Sequence, residues 1–460
     1  MEKGSIMKRT LIKNGLVIDP ANQVQAKLNI LVENGKIAAV TTETLEADYV
    51  IDAAGKIVTP GFVDIHMHED PVTENGTIYS DEEKAIFPCM LRMGVTTAIA
   101  GQCGENVFHP ADYLDLVDRD GAAVNVGILA GHGWFREYAG HMDKYSHVSE
   151  EELVKMTEEM QEAMDRGCLG VSYGIRYVPG IDEQELKATA AVCRKDNKMI
   201  AAHIRSDAGE VFDAAKEFLD IAKDLKLSVE VSHIGSMAGF GQMTDFLRMV
   251  DEYKLNGVNV TCDCYPYYAF STSIGSTTYD DGWLERYQCG YDVVEICEGT
   301  YKGQRCTKEI FEEVRNNFPE YKTICYVMSG PDVDSAFSHP NVMVGSDGTL
   351  SSGQGHPRAA GAFPRLLAEF VRPEKLSMYE AIRKMTAMPA DKMGLTNKGR
   401  LSVGADADIV IFDPEAVTDN ATFETPLEPP TGINYVLIGG EIAAKDGQML
   451  QSRLGRSIRK

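Results

Sequence analysis

Leu169-Gly170-Val171-Ser172-Tyr173, then Met199-Ile200-Ala201-Ala202-His203, then Leu227-Ser228-Val229-Glu230-Val231-Ser232-His233 are three apolar runs of strand length. Stretches of helical character, 182–198 and 209–225, separate them. Ahead of the first run, Ser149 and Glu152 make a capping box. It opens a helix with Leu153, Met156, Met160 and Met164 on one stripe, stopped by Gly167. The rhythm continues with a helix over 246–255, a strand over 258–263, and further strands at 323–327 and 342–346. Strand and helix in strict alternation predict a parallel sheet. The doubly wound form needs a Gly-rich phosphate turn after an early strand, and none is present. A (β/α)8 TIM barrel, at about 250 residues plus insertions, fits the span 61–399.

Outward from that middle, the two ends share a β texture. Residues 11–18 read as two short strands about Asn14-Gly15, and 28–32 with 36–40 read as a hairpin about Asn34-Gly35. Near the other end, 407–412 is strand-like, and 435–438 with 441–444 are joined by Gly439-Gly440. These predict a small composite β-sandwich domain from 1–60 and 400–460. Residues 271–322, rich in Gly, Tyr, Thr and acidic side chains, break the rhythm and read as an insertion, a mobile cover over one face.

With 44% hydrophobic residues, the 460-residue chain can bury a large core. Its 45 basic residues face 69 acidic ones, net −24. That excludes a basic face for nucleic acid and an attraction to anionic membranes. The first residues carry no apolar leader core, and no stretch reaches the roughly 18 apolar residues of a membrane span. Ten scattered cysteines match no disulfide framework, so reduced thiols in a cytoplasm are expected.

Potential ligands stand where the strands end. Residues 62–65 run into His66, with His68 two positions on; 95–100 run into Gly101-Gln102-Cys103-Gly104. The other strands end at His203, His233 and Asp347. Any one of these alone is more often a packing or turn residue. Four imidazoles, a thiol and a carboxylate at one end of five strands have no packing purpose, and that end of a barrel is where sites sit. Imidazole with thiolate suits zinc better than magnesium or calcium.

The motif Pro60-Gly61-Phe62-Val63-Asp64-Ile65-His66-Met67-His68 resembles the opening of the amidohydrolase superfamily. Gly94 to Gly104 around Cys103, Ala202-His203-Ile204-Arg205, 263–267, Gly345-Ser346-Asp347-Gly348 and 356–365 together resemble the D-aminoacylase (N-acyl-D-amino-acid deacylase) family over most of the chain. The resemblance implies a tight zinc on Cys103, His203 and His233, and a second, weaker site completed by His66, His68 and Asp347. It implies Asp347 as catalytic acid and base, Arg358 on the substrate α-carboxylate, and Tyr177 as a substrate contact. The expected substrate is a small N-acyl-D-amino acid. A lysine that usually follows the fourth histidine in that family is missing from Ser232-His233-Ile234-Gly235, and Arg176 is the candidate to replace it or to read an acidic side chain. The alternatives are a cyclic-amide hydrolase (hydantoinase or dihydroorotase-like) or a dipeptidase on the same barrel, which want a bridging lysine, or a degenerate barrel that only binds.

Overall fold

The computed structural model describes residues 9–81, 84–196, 198–351 and 353–460. Residues 1–8, read above for a leader, lie outside them. Eight parallel strands run round the centre: β1 Phe62–Asp64, β2 Val95–Ala100, β3 Asn125–Ile128 continued by Ala130–Gly131, β4 Gly170–Gly174, β5 Met199–His203, β6 Ser228–Val231, β7 Val260–Cys264 and β8 Val342–Val344. Each hydrogen-bonds the next, in sequence order. The circle closes just past the ends of β1 and β8, where Asp347 N–H donates to His66 O (2.7 Å) and His68 N–H to Gly348 O (2.9 Å). Val63, Ile99, Leu129, Met199 and Met343, each from a different strand, meet in one buried cluster, so the centre is a packed core and not a pore. The helices cover the outside. Glu150–Asp165 begins with both bonds of the capping box, Ser149 to Glu152 and back.

Strands from both ends of the chain make a separate nine-stranded sheet. Ile57–Pro60 pairs antiparallel with Ile409–Phe412 and parallel with Arg9–Asp19. Asn34 and Gly35, both at positive φ, turn the hairpin of Val24–Glu33 and Lys36–Thr41. Asn14-Gly15 does not turn the chain. Arg9–Asp19 is one strand, and Asn14 (φ 65°) makes a bulge in it. The register shift lets both halves keep pairing with Val24–Glu33.

Two further expectations change. β3 has no clear strand signal in the sequence, because Asn125 and Gly127 interrupt its apolar run. The strand expected at 323–327 is Lys322–Cys325, and it lies outside the barrel, between Phe270–Ser273 and Val294–Ile296 in an antiparallel sheet. An apolar run sets strand character, while the neighbour is chosen by tertiary pairing. That sheet belongs to the insertion, which has an aromatic core of its own: Trp283 stacks on Phe311 (5.3 Å), with Tyr279 edge-on to both.

A candidate metal centre and active site

The six ligand candidates converge. His66, His68, Cys103 and Asp347 form one group and Cys103, His203 and His233 another, the ligand atoms within each lying within 4.8 Å of one another. Cys103 belongs to both. Its Sγ is 3.4 Å from His233 Nε2 and 3.5 Å from His66 Nε2. Asp347 Oδ1 stands 3.3 Å from His68 Nε2 and 3.5 Å from His66 Nε2.

The backbone is bent to achieve this. Cys103 (φ 55°), His233 (φ 34°) and Asp347 (φ 48°) are all left-handed. Such non-glycine residues cost roughly 1–3 kcal/mol each and gather at functional sites. The turn carrying Cys103 is held from several sides. Glu69, buried, accepts hydrogen bonds from Gly101 N–H (2.8 Å), Val107 N–H (3.1 Å) and the Asn106 amide. Ser172 Oγ accepts from Gly104 N–H (3.0 Å) and donates to Gly101 O. Gly345 has to be glycine, because a Cβ there would come within 2.8 Å of both His66 Cβ and Asp263 Oδ1. Asp263 accepts from His66 Nδ1 at 3.1 Å, which fixes the tautomer and leaves Nε2 facing the cluster.

Burial lowers His203 well below the ordinary imidazole range, helped by neighbouring His233, and brings His233 to about 4. Both rings are therefore neutral, the form that ligates a metal. Burial, with Asp347 nearby, raises the Cys103 thiol well above its usual range, so an ion binding there must displace its proton. Burial also opposes ionisation of Asp347, but Arg358, His233 and His68 outweigh it and hold that carboxyl well below its usual value. His203 Nδ1 is buried with no hydrogen-bond partner among the described residues. The donor set fits a thiophilic divalent ion.

Arg358, 1% exposed, gives Nη2 to Asp347 Oδ2 at 2.8 Å and stacks on Tyr265 at 4.5 Å. Its Nε and Nη1 are buried and unpartnered among the described residues. These free N–H donors lie on opposite edges of the guanidinium, and each can bind a carboxylate oxygen. Tyr177 packs on His203 at 4.5 Å. Two cavities meet at the cluster. One is an open cleft of about 390 Å³ that includes His68, Cys103, Lys144, Lys322 and Arg358; the other is an inner pocket that includes His203, His233, Tyr265 and Asp207. Tyr177, Ser271, Thr272 and Asp347 line both. Arg176 lines neither: it faces a third, outer cavity, with Nη2 3.5 Å from Thr278 O. Sequence reading missed Glu69, Ser172 and Asp263 as supports and Ser271 and Thr272 as walls. Asp263 opens the 263–267 motif; the others carry no local signal.

Two family models, each described as Amidohydrolase family, match residues 57–237 and 316–444. The chain is 30% identical to an N-acyl-D-glutamate deacylase of Alcaligenes xylosoxydans xylosoxydans, over 94% of this chain and 92% of that protein. It is 29% identical to a D-aminoacylase of the same organism, over 97% of each. Among solved structures it is similar to the N-acyl-D-glutamate deacylase of Bordetella bronchiseptica, complexed with zinc and a phosphonate mimic of the tetrahedral intermediate. The TM-score is 0.87 at 28% identity, covering 98% of this chain and 99% of that one.

Proposed function

We propose, for a chain that belongs to the amidohydrolase family and within it to the N-acyl-D-amino-acid deacylases, that the strand-end cluster hydrolyses the amide bond of N-acyl-D-amino acids. The products are a carboxylic acid and a D-amino acid. The observation that carries this reading is a shared metal-ligand cluster beside a buried arginine with two free donors.

Cys103, His203 and His233 would hold the tight ion, and His66, His68 and Asp347, with Cys103, a second weaker one. The thiolate and imidazoles favour zinc. When bound, such an ion polarises a carbonyl and makes water acidic enough to attack at neutral pH. The chain's own residues supply the rest. Asp347, ionised, accepts the proton of the attacking water and later returns a proton to the amine nitrogen, since an amide cannot leave as an anion. Arg358 receives the substrate α-carboxylate on its free Nη1 edge while Nη2 keeps Asp347 in place. Tyr177 closes the site on the side of His203.

The test is a panel of N-acetyl amino acids as separate D and L enantiomers, with acyl groups of several lengths, run beside metal analysis. Hydrolysis of D substrates with about one tightly held zinc per chain supports the reading. A protein that holds no metal, or that opens only cyclic amides, overturns it.

A further inference from the structure

We propose that Glu230 is a positioning residue beneath the metal centre: as a neutral carboxylic acid it donates a hydrogen bond to Asp263 and so holds the carboxylate that orients His66. Its effect on metal rests on the metal-site reading above; the proton itself does not.

Glu230 lies on β6 and Asp263 on the next strand, β7. Glu230 pairs in register with Thr261, and Asp263, two positions on, shares the face of Thr261. Both acids are fully buried, and their carboxyls are in hydrogen-bond contact. Neither oxygen of Glu230 receives a hydrogen bond from any described residue, and neither does Asp263 Oδ1. Two carboxyls in contact away from water, with no other donor between them, cannot both ionise, so one carries a proton.

Asp263 is the one that keeps its charge. Its Oδ2 accepts from His66 Nδ1 at 3.1 Å. Burial works against its ionisation, but His66 and the bond from Glu230 outweigh it and hold Asp263 below the usual carboxylate range. Glu230 has no such help. It faces Asp263 on β7 and Asp64 on β1, with the buried Cys262 thiol also near. The cation on its side, Lys392, donates instead to Val229 O (2.7 Å) and Asn259 O (2.8 Å). Burial, with Asp263, raises the Glu230 carboxyl well above its usual range. Its proton then lies toward Asp263, where it fixes the plane of that carboxylate and leaves Oδ2 to His66.

The experiment uses the metal-loaded protein. Infrared spectra at about pH 8, well above the ordinary carboxylate range, should show the C=O band of a protonated carboxyl that Glu230→Gln removes. Glu230→Gln keeps a donor toward Asp263 and has no proton to lose. Above about pH 4.3 an unfolded Glu230 ionises while the folded one does not, so the wild type loses stability there as pH rises. The difference in melting temperature should therefore move in favour of Glu230→Gln between about pH 5 and about pH 8. Glu230→Leu removes the donor. It should lower retention of the less tightly held zinc by about tenfold in a chelator competition, the scale for partners of metal ligands, while Glu230→Gln retains it. No band difference, or a melting difference that does not change with pH, overturns the neutral acid. Zinc retention in Glu230→Leu equal to the wild type overturns the positioning role; if that variant does not fold, weakened retention in Glu230→Gln does the same. A wild type that holds no zinc overturns the metal-site reading beneath, and the band and the melts still decide the proton.

Discussion

Asp347 sits in a left-handed backbone with its carboxylate between a histidine and an arginine, so its chemistry and its conformational cost can be measured separately. Asp347→Asn should keep fold and metal and lower kcat by on the order of 10²–10⁴, the usual worth of an acid–base group. A fall of less than about tenfold, with metal content unchanged, would assign the proton transfers to another residue. The strain predicts a reversal of the usual order among small residues. Asp347→Gly should be more stable than Asp347→Ala by about 1 kcal/mol, since only glycine adopts that φ without cost. Thermal melts of the two variants decide it. Ser172 is a test of the turn beneath Cys103. Ser172→Ala leaves Gly104 N–H and Gly101 O buried without their partner, at about 1–3 kcal/mol. The cost should also appear as weaker metal retention in a chelator competition.

At the scale of elements, the insertion is held by its aromatic cluster, and its first strand carries two residues of the pocket wall, Ser271 and Thr272. Trp283→Ala, a deletion of the kind that costs about 3–5 kcal/mol in a core, should loosen that wall. The expected result is earlier proteolysis within the insertion and a raised KM, with metal content unchanged; an unaltered KM would separate the insertion from substrate binding. The same element marks where sequence reading stops. β4, β5 and β6 could be read because each is a short apolar run bounded by helices, and their ends delivered His203 and His233. Lys322–Cys325 has the same local character, yet pairs elsewhere, because partner choice depends on residues far away in the chain. The ligand candidates were legible for the reason that their residue types are rare at strand ends. Glu69 and Ser172 were not, since a carboxylate or hydroxyl that braces a turn looks like any other until the turn is seen beside it.

For the whole molecule, the telling feature is its set of ten free cysteines, all buried but for the half-buried Cys289. Burial pushes Cys89, Cys168, Cys193 and Cys297 each to about 12. A thiol that stays protonated when folded but ionises when unfolded contributes stability that is whole below about pH 9 and is lost as pH rises toward 12. Each such group steepens the loss by about 1.4 kcal/mol per pH unit. Lys198, Lys384 and Lys392, all lowered by burial, the last two to about 8 and about 7, act in the opposite direction, but they are three against a larger number of thiols. The melting temperature should therefore fall steeply between pH 9 and 10.5; a flat profile there would mean that the thiols are already ionised in the fold. The nine-stranded sheet has a consequence in time. Ile57–Pro60 leaves the ribosome early, while its antiparallel partner Ile409–Phe412 is made only after the whole barrel. At roughly 5–20 residues per second, the early strand waits tens of seconds with one edge bare. Through that interval the nascent chain offers an open template to any passing strand, so the late-made segment sets how long each newborn copy depends on chaperones.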